Sequence, residues 1–304
     1  MSMKTNTTLI RTACFLLTLF FTVSCTDHNE EQEKVNTLKL LVNSKSFLSP
    51  DESDKYAVMH SIGLFSLDKQ ANRTSFINNQ KAVYNGHKWY FEGNREIRLG
   101  NDSITVYAYY PYDPNMQSDE WLRLKTGDTD YMYGFHDIES RGFINSAQPC
   151  ANIQMVHAMC LLKLDIRPII EQQGKVGRVS IEGTNQVHPL YETGQINMFT
   201  DETGSLQILE GEVDCVIDDT GQKAVIYMIP CYKAEFNICL IVHGKKYVLT
   251  MTETDFHAGK IQNFWLDFDV KQEKMFIRDI TIEDWVEGGS LDIDTKPIDD
   301  TITH

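Results

Sequence analysis

Short segments with apolar side chains at alternate positions recur along the chain. Phe264, Leu266, Phe268 and Val270 occupy every second position in one such segment, and residues 103–110 are rich in β-branched and aromatic side chains. Both patterns are typical of β-strands that bury one face. Strands are predicted at residues 37–42, 58–67, 82–91, 103–110, 153–166, 176–181, 195–199, 205–209, 213–217, 224–230, 235–242, 247–251, 261–270 and 275–285.

Strands of this length, separated by turns at intervals of about 8–12 residues, predict an all-β sandwich architecture. Residues 155–164 also fit a helix, but a buried strand between polar turns explains the same apolar run equally well. Pro168 and Gly174 bracket a central loop. We therefore expect two domains, one at residues 37–165 and one at residues 166–304.

The N-terminus has the features of an export signal. Lys4 and Arg11 precede an apolar stretch of 11 residues, 13–23, which is shorter than the roughly 20 residues that span a bilayer. Cys25 follows after the small residue Ser24 and resembles the lipid-bearing cysteine of a bacterial lipobox; an ordinary secretory leader is the alternative. Residues 1–24 are thus predicted to be a lipoprotein signal peptide, with diacylglycerol and palmitate on Cys25.

The acidic charge of the chain disfavours some classes of partner. Residues 25–36 form a predicted acidic tether, with four carboxylates in the segment TDHNEEQEK, and resemble the export signal of some surface lipoproteins or a plain solvated spacer. The whole chain of 304 residues carries 28 basic and 43 acidic side chains, a net charge of −15. This balance disfavours nucleic acid as a partner, because phosphate binding needs clustered cations. An outer-membrane lipoprotein exposed at the cell surface is expected.

The sequence positions of the cysteines indicate a packing role rather than a catalytic or redox role. Cys160 and Cys239 lie in apolar runs and are predicted to be small buried residues. The number of cysteines after Cys25 is odd, and no C-x-x-C motif is present. If a disulfide forms, Cys231 with Cys239 or with Cys215 is the pairing to test first.

The sequence contains none of the enzyme motifs H-E-x-x-H, G-x-S-x-G, G-x-G-x-x-G and the Walker loop. We therefore expect no enzyme activity, no cofactor and no metal site. Asp128 and Asp130 only partly match a calcium loop and are interpreted as a polar turn. Asp292 and Asp294 are interpreted as a solvated strand face. His157, inside an apolar run, is predicted to be a hydrogen-bonded core histidine rather than a catalytic one.

Tyrosines cluster around Pro111, at positions 107, 109, 110 and 112. In an alternating strand, such rings more often pave a core and a domain interface than a ligand site. If exposed, they would form an aromatic patch that stacks on sugar rings. Both interpretations stay open from the sequence.

Several motifs together resemble the fimbrillin family of type V pilus proteins, over roughly residues 55–286. In order they are Ile62-Gly63-Leu64-Phe65, Val106-Tyr107-Ala108-Tyr109-Tyr110-Pro111-Tyr112, Asp130-Tyr131-Met132-Tyr133-Gly134, Val156-His157-Ala158-Met159-Cys160-Leu161-Leu162-Lys163-Leu164, Phe256-His257-Ala258-Gly259-Lys260 and a last strand that ends at Trp285. The resemblance implies two tandem transthyretin-like β-sandwich domains with Greek-key-type topology. It also implies a structural or accessory subunit of a cell-surface fimbria that contributes to adhesion.

The resemblance further implies assembly with other fimbrial subunits by strand addition. In the family's stalk subunits, a protease removes the lipidated N-terminal segment with the first strand, and a C-terminal strand of the next subunit fills the groove. Here Leu38, Leu40 and Val42 share one face of the predicted first strand. Lys45 and Lys55 are the candidate processing sites, since residues 35–60 contain no arginine.

The chain departs from a typical stalk subunit near its end. Leu291 and Ile293 alternate beyond Trp285, but Pro297 interrupts the ladder of backbone donors. Stalk, anchor and tip positions in a fibre therefore stay open. The alternative function is a standalone surface lipoprotein that binds a glycan or a host protein through the aromatic patch.

Overall fold

A computed structural model describes residues 36–44, 61–116, 120–168 and 175–285. Within these ranges it contains twenty strands, one α-helix, α1 (Ile138–Arg141), and a 3-10 turn at Glu92–Asn94. The all-β prediction is confirmed. None of the helical residues in these ranges forms a segment long and apolar enough to cross a membrane. Cys25, Lys45, Lys55, Asp292 and Asp294 lie outside the described residues.

The first large sheet has eight strands in the order β1-β9-β8-β6-β2-β4-β5, with β3 paired to β2. Their bounds are β1 (Lys39–Ser44), β2 (Ser61–Leu67), β3 (Arg73–Thr74), β4 (Gln80–Tyr84), β5 (Trp89–Phe91), β6 (Thr105–Tyr110), β8 (Met132–His136) and β9 (Cys150–His157). The two ends of the sheet, β1 and β5, contact each other. The sheet therefore curls around an apolar core on its inner side.

The C-terminal half is a sandwich of two sheets. One sheet has the order β15-β16-β10-β19-β20 and the other β14-β11-β17-β18. The strands are β10 (Cys160–Pro168), β11 (Val176–Gly183), β14 (Gly211–Asp214), β15 (Val216–Ile217), β16 (Lys223–Met228), β17 (Cys231–Val242), β18 (Lys245–Phe256), β19 (Lys260–Asp269) and β20 (Lys274–Asp284). Alternating residues such as Phe264, Leu266 and Phe268 fill the core between the sheets, as the sequence pattern predicts.

A third sheet, with the order β13-β12-β7, joins the two halves. It combines β7 (Trp121–Lys125) with β12 (Tyr191–Asn197) and β13 (Thr203–Ile208). Leu122 and Leu124 on β7 are buried, whereas the alternating residues Arg123 and Lys125 are exposed. Neither β7 nor β8 is among the strands predicted from the sequence, although WLRLK has the period of a strand. We call this three-stranded sheet the seam sheet.

The apolar run at 153–166, predicted as one strand, is two strands in different sheets. β9 ends at His157 and β10 begins at Cys160, with the buried pair Ala158 and Met159 between them. β9 pairs with β8, whereas β10 pairs with β16 and β19. The helical alternative for residues 155–164 is wrong, because both sides of this segment find strand partners.

Aromatic side chains fill the space between the outer face of the first sheet and the seam sheet. This seam cluster contains Phe65, Leu67, Tyr107, Tyr109, Leu122, Leu124, Tyr133, Ala158, Met159, Leu161, Ile196, Met198, Tyr227, Ile229 and Trp285. Tyr107 and Tyr109 are fully buried, which confirms their predicted core and interface role and contradicts an exposed four-tyrosine patch. A Cβ at Gly63 would lie 2.1 Å from the Tyr109 ring, so only glycine leaves room for that ring.

His157 sits at the edge of this cluster between an acid and an indole. Its Nδ1 lies 2.7 Å from Asp130 Oδ2, and the Trp285 ring stacks on the imidazole at a centroid distance of 3.6 Å. The prediction of a hydrogen-bonded core histidine is confirmed. Asp130, interpreted from the sequence as part of a polar turn, lies between strands, and its carboxyl is buried against His157. Burial raises the pKa of Asp130, and the nearby His157 opposes that rise.

Trp285→Ala is expected to lower the free energy of unfolding by about 3–5 kcal/mol, the usual cost of truncating a buried tryptophan. The substitution removes the ring that covers His157 and stacks on Tyr227 at a centroid distance of 5.9 Å. Urea denaturation followed by far-ultraviolet circular dichroism measures it. Tyr232→Ala is the control, since that ring is 70% exposed and should cost no more than about 0.5 kcal/mol. Equal losses in the two variants would contradict the described role of Trp285.

Candidate functional site

The first strand completes the N-terminal core from the end of its sheet. β1 pairs in parallel with β9, in a register that runs from Lys39 opposite Cys150 to Ser44 opposite Met155. Alternate residues point to opposite faces of a strand. Leu38 and Leu40 are accordingly buried, with 4% and 8% of their surface exposed. Leu41, on the opposite face, is 45% exposed.

The start of β1 is also held on its other side. Leu38 N donates to Ile97 O at 2.9 Å, and Leu99 N donates to Asn36 O at 2.9 Å. Lys39 N donates to Pro149 O at 2.8 Å, just before β9. The beginning of β1 therefore lies between two backbone segments. In the described part of the sheet, β1 is the terminal strand and pairs with β9 alone. After its first residues, the edge of β1 that faces away from β9 is therefore not paired with another strand.

The side chains under β1 form a strip that is apolar at every second position. Ala151, Ile153 and Met155 contribute from β9, and all three are fully buried. Ile97 and Leu99 contribute from the segment that follows β5. If β1 left, this strip and the backbone edge of β9 would form a groove shaped for another strand with apolar residues at alternate positions.

Comparison with known proteins identifies the family. The sequence profile of the fimbrillin-like family matches residues 54–285. The chain belongs to the fimbrillin-like family. This family is one of structural fimbrial proteins. Curated protein sequences contain no match to the chain.

Solved structures share the fold at low sequence identity. A candidate cell-adhesion protein from Bacteroides uniformis matches with a TM-score of 0.62 and 15% identity, over 83% of this chain and 100% of that one. One from Bacteroides ovatus matches with a TM-score of 0.63 and 15% identity, over 82% and 98%. One from Bacteroides fragilis matches with a TM-score of 0.53 and 10% identity, over 82% and 97%. These likenesses show a common fold for the fimbrillin-like chain.

The fimbrillin-like structure places three predicted site residues together and leaves three outside its described range. Leu38, Leu40 and Val42 lie side by side against the N-terminal core. Cys25, Lys45 and Lys55 are not among the described residues, and their roles stay predictions. The opposite wall of the strip, at residues 97 and 99, was not predicted from the sequence. Their i, i+2 spacing of apolar residues is the signal that could have found it.

The structure rules out one of the disulfide pairings considered from the sequence. Cys231 and Cys239 lie on the same strand, β17, eight residues apart. At about 3.3 Å per residue they are separated by roughly 26 Å, far beyond the span of a disulfide. Burial raises the pKa of Cys160 and Cys231 to about 12 and that of Cys239 to about 11. Deprotonation of these thiols is thereby disfavoured, which suits a packing role.

One group of potential metal ligands is explained by salt bridges. Ligand atoms of Glu182, Glu212 and Cys239 lie within 4.8 Å of one another on the outer face of β11, β14 and β17. Arg178 lies 2.9 Å from Glu212, and Lys246 lies 2.5 Å from the same carboxylate. Lys246 also lowers the pKa of Glu212 through its hydrogen bond. The two cations already neutralise this acidic pair.

Leu40→Ala is expected to lower the free energy of unfolding by about 2–5 kcal/mol, because it leaves a cavity under β1. Leu41→Ala is the matched control: the same change, one residue away, on the face that is 45% exposed, with an expected cost within about 0.5 kcal/mol. Urea denaturation compares the two variants. If Leu41→Ala costs as much as Leu40→Ala, the described orientation of β1 is wrong.

Proposed function

We propose that this fimbrillin-like chain is a subunit of a cell-surface fimbria that exchanges its first strand for a strand of a neighbouring subunit. The observation that carries the proposal is the position of β1. It buries Leu38 and Leu40 in the core, yet lies at the end of its sheet. A strand in that position can leave without breaking the pairing among the other strands.

The incoming strand would replace the apolar contacts and the backbone hydrogen bonds that are lost when β1 is removed. Leu38 and Leu40 each contribute about 1.5–3 kcal/mol by burial, so the empty groove is costly. Backbone donors and acceptors of β9 also lose their partners, and buried unpaired groups add to that cost. An incoming strand with apolar residues at alternate positions repairs both losses. A slow exchange driven by the incoming strand is therefore expected.

The donor in this proposal is the C-terminal segment of another copy or of another subunit. In this chain, Leu291 and Ile293 have the spacing of two that the groove requires, and Pro297 limits the length of the match. Two apolar residues can occupy the places of Leu38 and Leu40. This partial match supports pairing with other fimbrial subunits, without assigning the chain to the stalk, the anchor or the tip.

Release of β1 would need a cut between β1 and β2. The segment 45–60 contains two lysines, Lys45 and Lys55, and no arginine. Trypsin-like proteases cut after lysine and arginine. We propose one of them as the processing site. Adhesion would then be a property of the assembled fibre.

Limited trypsin digestion tests the exchange. Purified precursor should be cut first at Lys45 or Lys55. The nicked protein should form larger species when it is mixed with an excess of a second copy of the chain, whose residues 286–304 act as the donor strand. Mass spectrometry identifies the cuts, and size-exclusion chromatography with light scattering measures the assembly.

Two controls sharpen this test. Lys45→Gln/Lys55→Gln should resist the early cut and stay monomeric, whereas a donor carrying Leu291→Asp and Ile293→Asp should not assemble with nicked protein. Earliest cuts elsewhere, or nicked protein that stays monomeric with excess donor, would contradict strand exchange for this chain.

We also propose that Cys25 carries the lipid that holds the precursor to the outer membrane. Cys25 is separated from the apolar stretch of the leader by Ser24 alone, and acyl chains bind a bilayer by burying methylene groups. Cys25→Ala should lose incorporation of a clickable palmitate analogue and move from the membrane to the soluble fraction. Cys150→Ser should keep both label and location. A Cys25→Ala protein that still takes up the label would refute the assignment.

A further inference from the structure

A cleft of about 540 Å³ lies at one open end of the curled first sheet. β2 ends at this end with Leu67, and β6 begins there with Thr105, which lies opposite Leu67. The other end of the sheet is marked by the paired residues Tyr110, Met132 and His157, where the chain passes on to β10. We call the cavity the mouth cleft. Small-molecule sites often lie in the mouths of curled β-sheets and have volumes of roughly 300–1,000 Å³.

The floor of the mouth cleft is apolar, and an exposed aromatic ring stands beside it. Leu99 and Ile104 line the cleft and are buried in the N-terminal core. Phe76 also lines it, yet 47% of its surface is exposed. The next residue, Ile77, is buried, and its N donates to Ser66 Oγ at 2.9 Å, which holds the segment that carries Phe76. An exposed ring next to an apolar floor suits a ligand with an apolar face.

One polar wall of the cleft is the turn between β2 and β3. Asp68 Oδ1 accepts hydrogen bonds from Gln70 N at 2.9 Å and from Asn72 N at 2.8 Å, and Asp68 Oδ2 accepts one from Asn72 Nδ2 at 3.1 Å. The hydrogen bonds from Asn72 lower the pKa of Asp68. This carboxylate therefore serves the turn. The exposed side-chain amide of Gln70 takes no part in these bonds and can bind a ligand.

A second polar wall is formed by residues 100–103. Ser146 N donates to Gly100 O at 2.9 Å, and Ser146 Oγ donates to Asn101 Oδ1 at 3.0 Å. The Asn101 Nδ2 group and the exposed carboxylate of Asp102 have no hydrogen-bond or ion-pair partner among the described residues. The backbone of this wall is thus held in place, while its ligand-binding groups are unoccupied. A wall fixed in this way needs little reorganisation to bind a ligand.

The charges in the mouth cleft do not favour an ionic ligand. Asp68, Lys69 and Asp102 are the charged residues of its described lining. Asp68 is bonded within its own turn, and Lys69 Nζ lies 5.7 Å from the centroid of the Phe143 ring. Asp102 is therefore the one charged group without such an engagement among these lining residues. A single carboxylate beside amides and a ring fits a neutral ligand that is rich in hydroxyl groups.

We propose that the mouth cleft binds a neutral saccharide. Phe76 would pack on the apolar C–H face of a sugar ring. Asp102 would accept hydrogen bonds from neighbouring hydroxyls, and the amides of Gln70 and Asn101 would bind others, because an amide both donates and accepts. Among the described lining residues, none belongs to β1. The inference therefore goes beyond strand exchange and does not depend on it.

The test uses unprocessed monomer, so its outcome is independent of fibre assembly. Ligand-observed saturation-transfer NMR is carried out with four neutral saccharides: lactose, methyl α-mannopyranoside, methyl α-fucopyranoside and N,N′-diacetylchitobiose. At least one should bind, with a dissociation constant that high salt leaves nearly unchanged, since salt screens interactions between charges. Phe76→Ala/Asp102→Ala should weaken this binding about tenfold or more, because it removes the stacking ring and a charge-assisted hydrogen bond. Gln70→Ala, an exposed site outside the core, should weaken it by a smaller factor.

Phe276→Ala/Asp279→Ala is the matched control, because it removes the same residue types from exposed positions on β20. It should leave the dissociation constant unchanged, and all variants should keep the melting temperature of the parent. No binding of any of the four saccharides at concentrations on the order of 10 mM overturns the proposal. Binding that high salt abolishes, binding that Gln70→Ala and the Phe76 variant leave unchanged, or an equal loss in the control variant also overturns it.

Discussion

The parallel pairing of β1 with β9 closes the N-terminal core, and the shape of that half of the protein depends on it. β9 holds one edge of β1, and the segment around Ile97 and Leu99 holds the start of the other. Leu38 and Leu40 together contribute about 3–6 kcal/mol of burial. That is a large share of the roughly 5–15 kcal/mol by which a domain is usually stable. β1 is also the terminal strand of its sheet. The strand that completes the core is therefore also the one that another strand could replace.

The packing of the other two apolar clusters does not involve this strand. Among the described residues, neither the C-terminal core nor the seam cluster contains a side chain from β1. The seam sheet ties β7 to β12, and Trp285 stacks on His157 near the end of β9. In the proposed exchange, these contacts would hold the backbone around the empty groove in place from behind. A rigid groove accepts a new strand with less ordering cost than a collapsed one.

Local pattern predicted those parts of the structure that depend on near neighbours. The alternation of Phe264, Leu266 and Phe268, and the shared face of Leu38 and Leu40, follow from the period of a strand. Partners distant in sequence could not be predicted in this way. Nothing local pairs β7 with β12 about 70 residues later, assigns Asp130 to His157, or makes β1 run parallel to β9. A single apolar run at 153–166 likewise conceals the point at which the chain passes from one sheet to another.

A reversible covalent lock tests the central claim that β1 must leave its place before subunits can join. Leu41 and Asn152 lie opposite each other in the β1–β9 register, where neighbouring strands bring Cα atoms within the range that a disulfide spans. In a Cys150→Ser background, Leu41→Cys/Asn152→Cys should form a disulfide that keeps the protease-nicked protein monomeric when donor is added. Reduction with dithiothreitol should restore assembly to the level of the unlocked protein. Assembly that proceeds equally well in the oxidised and the reduced protein would contradict the account.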